Sequence, residues 1–523
     1  MKKLFYISAA LLTLLFVGAC KKDLLDKLPL DAVSDQTVFA SVENTALFVN
    51  FIYAGLPNGF ARGWYMLASA ASDAENSYPW TPSHIYNRGE QTPSNSPDNN
   101  WTESYNQIKN CNVFFENIDK VPGNADLIKR LKGEVHFLRA FYYAELHKRF
   151  GGVPLITKVL TLNDNFLEDR ATAEQIVDFI VKELDEAAAV LPLKYSGIDK
   201  GRATKVAALA LKGRVLLYAG KFTESSTASK AAITEGEANG HGLYSPYDKI
   251  FLDNNNREVI FDKQLLAKNF SGQHDLFNTP VGYANGWGGT CPTQNFVDAY
   301  EMKTTGKPIT DPASGYDPTN PYAGRDLRFE KSVLYNGTMW KGRPVDTKEN
   351  GADKPNGNGD ATKTGYYMRK FLDESVNAQS NLITGSQNWI LIRLGEIYLN
   401  YAEAQLKLNN ADEARTWVNK IRTRAAMPNI PAGEMTWERY MNERRVELSF
   451  EEHRFWDVRR WKVAEITENE PVFGMKITNV GGVLTYTKYK WEDRKFDKTK
   501  HYLFPIPQSE RDKNPNLSQN PGW

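Results

Sequence analysis

Apolar residues spaced three and four apart, gathered in two blocks around a stretch with no period, constrain this chain more than any other feature. In the first block Trp101, Tyr105, Ile108, Cys111, Phe115 and Ile118 share one stripe. Ile128, Leu131, Val135, Leu138 and Tyr142 share a second, widened by Phe137 and Phe141 and stopped by Gly151-Gly152 and Pro154. Ile176, Ile180, Leu184, Ala187 and Leu191 mark a third, followed by Val206, Leu209, Gly213 and Leu216 and a partner helix over 222–236. In the second block Leu394, Ile397, Tyr401 and Leu408, then Ala411, Ala414, Val418, Ile421 and Ala425, repeat the pattern, and Trp437 to Trp456 reads as one further helix. At 3.6 residues per turn such spacing collects the apolar side chains on one face, which must be covered by another element. The fold class predicted is mainly α.

Residues 271–365 contrast with this. They are 95 of 523 residues, yet hold 14 of 37 Gly and 8 of 25 Pro, about twice their share, so they predict a loop-rich insertion. Residues 57–100 also read as loop, interrupted by Pro57, Pro79, Pro82, Pro93 and Pro97. Long ordered loops on a helical scaffold usually carry function. Alternation at Val483, Thr485, Thr487, Tyr489 and Trp491 after Gly481-Gly482 predicts a hairpin over 472–491, and the tail 502–523 reads as extended.

The N-terminus reads as an address. Lys2 and Lys3 precede an apolar run from Leu4 to Val17 that ends in Val17-Gly18-Ala19-Cys20. The run is shorter than the roughly 20 residues that cross a bilayer and has the layout of a secretory signal. Small residues before a Cys resemble the lipobox of bacterial lipoproteins, which implies cleavage after residue 19 and acylation of Cys20; the alternative is an ordinary signal with a Cys near the cut. Burying several acyl chains anchors a protein where one does not. Of 64 Lys and Arg, two lie in this leader, leaving 62 against 63 Asp and Glu. That balance offers no electrostatic footprint for nucleic acid, and a mean hydropathy of −0.51 with one apolar run argues against a membrane-spanning helix. Cys111 and Cys291 are too few for a disulfide framework, although a bond between them is conceivable.

Two helix pairs look like degenerate tetratricopeptide repeats, which need small residues where paired helices cross, about 12 positions apart: Gly213 with Ser225, and Ala402 with Ala414. Six segments in order then resemble the SusD/RagB family of outer-membrane nutrient-binding lipoproteins. They are GEVHFLRAFYYAELHKRFGGVPL from Gly133, RATKVAALALKGRVLLYAGKF from Arg202, IRLGEIYLNYAEAQ from Ile392, VNKIRTRA from Val418, ERRVELSFEEHRFWDVRRW from Glu443 and YLFPIPQSERDKNPNLSQNPGW from Tyr502. The resemblance implies a helical core of tetratricopeptide-like pairs with a loop-built face and no catalytic activity. It also implies a partner, a SusC-like TonB-dependent transporter in the outer membrane, to which the surface-exposed, lipid-anchored chain delivers glycans or peptides. The expected organisation is a leader over 1–19, an N-terminal helical region over 20–240, and a C-terminal region over 241–523 that includes the ligand-binding insertion 271–365. The charged residues of these segments, Glu134 with Arg139, and Glu443, Glu447, Glu451, Arg454, Asp457 and Arg460, predict buried ion pairs between helices in preference to acid/base pairs.

Catalytic patterns are absent: there is no HExxH, CxxC, GxSxG or P-loop, and the seven His form no i, i+4 pair for a helical zinc site. No cofactor is expected. Asn356, Asn358 and Asp360 occupy the first positions of a calcium loop, but Ala361 and Tyr367 depart from its pattern, so structural calcium is possible without being specified. Asp73 with Glu75, or Asp298 with Glu301, would have to flank a glycosidic bond in a glycosidase. The aromatic residues are more telling. Trp64, Trp80, Trp287 and Trp340 lie in the loop-rich regions, near Tyr65, Tyr86 and Tyr283, with Arg62, Asn87, Arg88 and Asn285 beside them. A Trp that a loop cannot bury is a flat apolar platform for the C–H face of a sugar, and Asn and Arg serve its hydroxyls. The alternative is that each Trp pins its own loop to the core. The leading expectation is thus a non-catalytic glycan receptor, against a peptide receptor, a surface glycosidase or a passive lid.

Overall fold

The computed structural model describes residues 35–62, 64–265, 271–355, 359–376 and 385–523. The leader with Cys20, and Asn356 and Asn358 of the calcium-loop pattern, lie outside the described residues.

Among the described residues ten helices carry the scaffold: α1 Val42–Ala54, α2 Trp101–Asn117, α3 Ala125–Phe150, α4 Ala173–Val190, α5 Lys205–Tyr218, α6 Phe222–Ala238, α7 Leu394–Lys407, α8 Ala411–Arg424, α9 Trp437–Glu447 and α10 His453–Arg460. Local chemistry sets their ends. Thr172 and Gln175 form a capping box at the start of α4, and Gly151, at φ +71, ends α3. From α2 to α8 each helix packs on the next, and the stack runs without a break from α6 to α7, which the insertion separates in sequence. One core links these helices to the tail residues Phe504, Ile506 and Leu517. The repeat-like crossings are present. Ser225 Oγ donates to the Gly213 carbonyl at 2.8 Å, a Cβ on Gly213 would stand 2.4 Å from Ser229 Oγ, and Ala402 and Ala414 are both buried.

The single helix predicted over Trp437 to Trp456 is corrected to α9 and α10. Phe450 and Glu452 adopt left-handed φ values of 62 and 67, which turns the chain and sends Phe450 into a second core. That core includes Tyr247, Phe251, Phe296, Tyr300, Phe329, Phe371 and Trp389 and lies under the loops. The expected ion pairs are there, with one change of partner. Glu134 meets Arg202 at 2.9 Å and Arg130 at 3.2 Å, whereas Arg139 meets Glu183 at 2.8 Å. Arg393 is buried against Glu258, Glu447 and Glu451 at 2.6–2.8 Å, and Arg328 against Asp326, Glu443 and Glu447 at 2.7–3.0 Å.

Apart from one hairpin the strands are short. β1 Ala74–Asn76 pairs antiparallel with β3 Thr290–Pro292, Glu75 opposite Cys291. β2 Val259–Lys263 pairs with β4 Trp389–Arg393. β5 Val472–Val480 and β6 Val483–Glu492 form the predicted hairpin. The β1–β3 pair ties residues 57–100 to the insertion. Cys111 and Cys291 are free and buried, so they do not form the conceivable bond. Among the described residues no helix is long and apolar enough to cross a membrane.

Candidate functional site

Where β1 meets β3, aromatic side chains from both loop regions converge. Trp64 and Trp287 stack at 5.3 Å between ring centroids, 25° from parallel. Phe277 lies 6.1 Å from Trp64 and stacks on Tyr78 at 5.8 Å. Tyr78 in turn lies 5.3 Å from Trp80 and 6.5 Å, edge-on, from Trp287. Tyr78 and Phe277 are buried, Trp287 is half-buried, and Trp64 and Trp80 keep 41% and 60% of their surface exposed. The result is an aromatic ledge: two buried rings as a floor and three indoles facing outward.

Backbone bonds hold it. Asn76 Nδ2 donates to the Trp64 carbonyl at 3.3 Å, and Asn76 Oδ1 accepts from the Tyr78 N–H at 2.9 Å. The Tyr78 hydroxyl donates to the Trp287 carbonyl at 3.0 Å. The Trp287 and Gly289 N–H groups donate back to Leu276 and Phe277 of the short helix Ser271–Asn278. Glycine is required at 289, where a Cβ would stand 2.3 Å from the Phe277 ring. Burial, then the neighbouring Asp360 charge, push the Tyr78 hydroxyl well above the usual phenol range, so it remains a donor. Asp360 is exposed at the edge of the ledge, and Asn285, also exposed, precedes Trp287 by two residues.

Three of the four loop tryptophans are therefore brought together, and the rest of the expected set is not. Trp340 is corrected: it is 1% exposed and packed with Leu334, Val345, Tyr367 and Leu372, because the turn between Met339–Trp340 and Arg343–Pro344 folds it inward. Tyr283 joins that cluster, its hydroxyl on the Trp340 and Arg343 carbonyls and the Arg343 guanidinium 3.6 Å above its ring. Tyr86 belongs to the main core, against Phe455 and Phe504. Tyr65 is buried beside a cavity of about 410 Å³ that Arg62, Asp98 and Glu145 also line, and burial pushes its hydroxyl up to about 12. Asn87 spends its amide on the Ser69 carbonyl and Glu75 at 3.0 and 3.2 Å. Arg88 is exposed and pairs with Glu492 at 3.1 Å. Arg62 is held by Asp98 and Glu452. Polar and aromatic residues next to a loop Trp in sequence thus face inward as often as outward. Tyr78 and Phe277 were missed. Tyr78 carried a signal, two residues before Trp80 in a loop, whereas Phe277 carried none, since only the β1–β3 pairing places it.

The carboxylates considered for glycosidase chemistry are each paired with a cation. Asp73 meets Arg445 at 2.6 Å, Glu75 meets Arg494 at 3.1 Å, Asp298 meets Lys488 at 3.1 Å and Glu301 meets Arg422 at 2.8 Å.

Residues 257–523 match the sequence profile of the SusD family, and residues 30–217 match a profile described as starch-binding associating with outer membrane. The chain is 24% identical over 506 residues to SusD-like protein P38 of Formosa agariphila, covering 89% of this chain and 93% of that one. A crystal structure of a SusD-like protein from Bacteroides fragilis superposes with a TM-score of 0.83 at 31% identity, covering 95% of this chain and all of the other. A SusD-like carbohydrate binding protein of the same species superposes with a TM-score of 0.80 at 26% identity, covering 92% of this chain and 100% of that one. With its C-terminal half matched by the profile and its fold matched over nearly its whole length, this chain belongs to the SusD family.

Proposed function

We propose that this protein is a non-catalytic cell-surface receptor that captures oligosaccharides on the ledge of Trp64, Trp80 and Trp287 and delivers them to a SusC-like TonB-dependent transporter. Lipid on Cys20 would hold it to the outer membrane. The observation that carries the reading is the exposed Trp64–Trp287 stack with Trp80 alongside, on a rigid floor of Tyr78 and Phe277. Exposed indoles in fixed positions offer apolar faces to sugar rings at little ordering cost. Asp360, whose charge acts on the Tyr78 hydroxyl, would serve sugar hydroxyls at the edge of the ledge. The description of the profile matching residues 30–217, and the carbohydrate-binding B. fragilis relative, support the same ligand class.

The test is affinity electrophoresis and calorimetry of the full chain against a panel of polysaccharides and peptides, with Trp64→Ala, Trp80→Ala, Trp287→Ala and Trp340→Ala in parallel. One glycan should be retained without release of reducing ends. Each ledge substitution should cost about 1 kcal/mol of binding, roughly fivefold. Trp340→Ala should instead cost about 3–5 kcal/mol of stability and leave the affinity of the folded fraction unchanged. Retention that no ledge substitution weakens would refute the reading, as would peptide binding alone or release of reducing ends.

A further inference from the structure

Behind the ledge, three side chains from separate elements point at one another. Glu75 is the central residue of β1, His84 lies on the short helix Ser83–Asn87, and Glu492 ends β6. One ligand atom from each lies within 4.8 Å of the others, and Glu75 and His84 are buried, the latter only 6% exposed. The hydrogen bonds around them define what each atom can do. His84 Nε2 stands 2.9 Å from the Tyr78 carbonyl. A carbonyl only accepts, so Nε2 carries the hydrogen, and in a neutral imidazole Nδ1 is left with its lone pair. That lone pair stands 3.4 Å from Glu75 Oε1 and makes no hydrogen bond among the described residues. Glu492 gives Oε1 to Arg88, while its buried Oε2 likewise has no hydrogen-bond partner. Glu75 gives Oε2 to Arg494 at 3.1 Å, and its Oε1 accepts from the Asn76 N–H and Asn87 Nδ2. Two carboxylates and a lone-pair nitrogen facing each other repel, and a cation among them removes the repulsion.

We infer that Glu75, His84 and Glu492 bind a divalent transition-metal ion, with zinc the best fit, as a structural site behind the aromatic ledge. Across a tetrahedral zinc with bonds of about 2.0–2.2 Å, ligand atoms stand roughly 3.4 Å apart, the separation of His84 Nδ1 from Glu75. An imidazole beside two carboxylates suits zinc and its first-row neighbours, whereas calcium and magnesium take oxygen alone. Metal-binding histidines characteristically donate their second N–H to a carbonyl or carboxylate, which fixes tautomer and ring, and the Tyr78 carbonyl fills that position here. The ion would join β1, the Ser83–Asn87 helix and the end of β6. Through His84 it would brace the loop that carries Tyr78 and Trp80.

The full chain, purified in detergent and freed of metal, is titrated with ZnCl2 by calorimetry and with CoCl2 by absorption. The inference expects one ion per chain, a visible cobalt spectrum, and a thermal midpoint that rises with zinc. His84→Gln and Glu492→Gln should each weaken uptake about tenfold or more and abolish the zinc-dependent rise. If His84→Gln does not fold, the half-buried Glu492→Gln and the wild-type cobalt spectrum decide. No stoichiometric uptake by the wild type would overturn the inference. Uptake that both substitutions leave unchanged would place the ion elsewhere and overturn it equally.

Discussion

Tyr78 shows how one residue joins scaffold to site. Its ring floors the ledge against Phe277 and Trp80, its hydroxyl holds the Trp287 carbonyl, and its own carbonyl accepts from His84. Nearby Asp275 makes a measurable claim about pH. It is 1% exposed and accepts from the Asp373 N–H at 2.8 Å and Gln387 Nε2 at 3.3 Å. Burial outweighs these bonds and pushes its carboxyl up to about 7. Between about pH 4 and pH 7 the folded chain therefore holds a proton that the unfolded chain has released. The stability this group contributes is complete below about pH 4 and is lost as the pH rises to 7. Asp275→Asn cannot ionise, so its melting temperature relative to wild type should rise between pH 4.5 and pH 8, as calorimetry at the two pH values would show. An offset independent of pH would contradict the assignment.

At the scale of elements, the α5–α6 crossing tests the repeat-like reading. A Cβ on Gly213 would meet Ser229 Oγ at 2.4 Å and the Ser229 nitrogen at 3.2 Å, so Gly213→Ala should destabilise by about 1–3 kcal/mol through overpacking. Ser229 Oγ is buried without a hydrogen-bond partner among the described residues, so Ser229→Ala should be nearly neutral. The double variant should recover most of the loss, because the worst contact is with that oxygen. Urea denaturation of the four proteins measures the coupling, and additive effects would argue against a close crossing. The small residues here were legible from their spacing. The break between α9 and α10 was not, since the apolar and charged periods continue across it and only the left-handed turn at Phe450 and Glu452 reveals it.

At the scale of the whole molecule, buried charge joins the C-terminal helices to the loop core. Arg393, the last residue of β4 before α7, meets Glu258 just before β2, Glu447 at the end of α9 and Glu451 in the α9–α10 turn. Burial would raise the Glu447 carboxyl, but Arg424, Arg393, Arg328 and Lys370 together hold it well below the usual carboxylate range. Its contribution is thus present above about pH 4.5 and lost as acid protonates it. Arg393→Met removes the one cation that all three carboxylates share, leaving Glu258 to Arg424, Glu447 to Arg424 and Arg328, and Glu451 to Lys370, and should cost about 3–5 kcal/mol. It should also move acid unfolding to higher pH, followed by circular dichroism. Unchanged stability would mean that the network serves packing alone.

Local pattern determined the helices, the hairpin of β5 and β6, the small residues at the helix crossings, and the use of Glu443, Glu447, Glu451 and Asp457 in ion pairs. In each case one residue's neighbours in sequence decide which face it presents, so a period of 3.6 or 2 carries the information. Tertiary structure alone decided the site. Pairing Ala74–Asn76 with Thr290–Pro292 brings Trp64 and Trp80 to Trp287 and puts Phe277 beneath them. A neighbouring turn sends Trp340, just as aromatic and just as loop-borne, into a core of its own. Contacts between loops some two hundred residues apart have no period to read, because they are set by how the scaffold folds the chain back on itself.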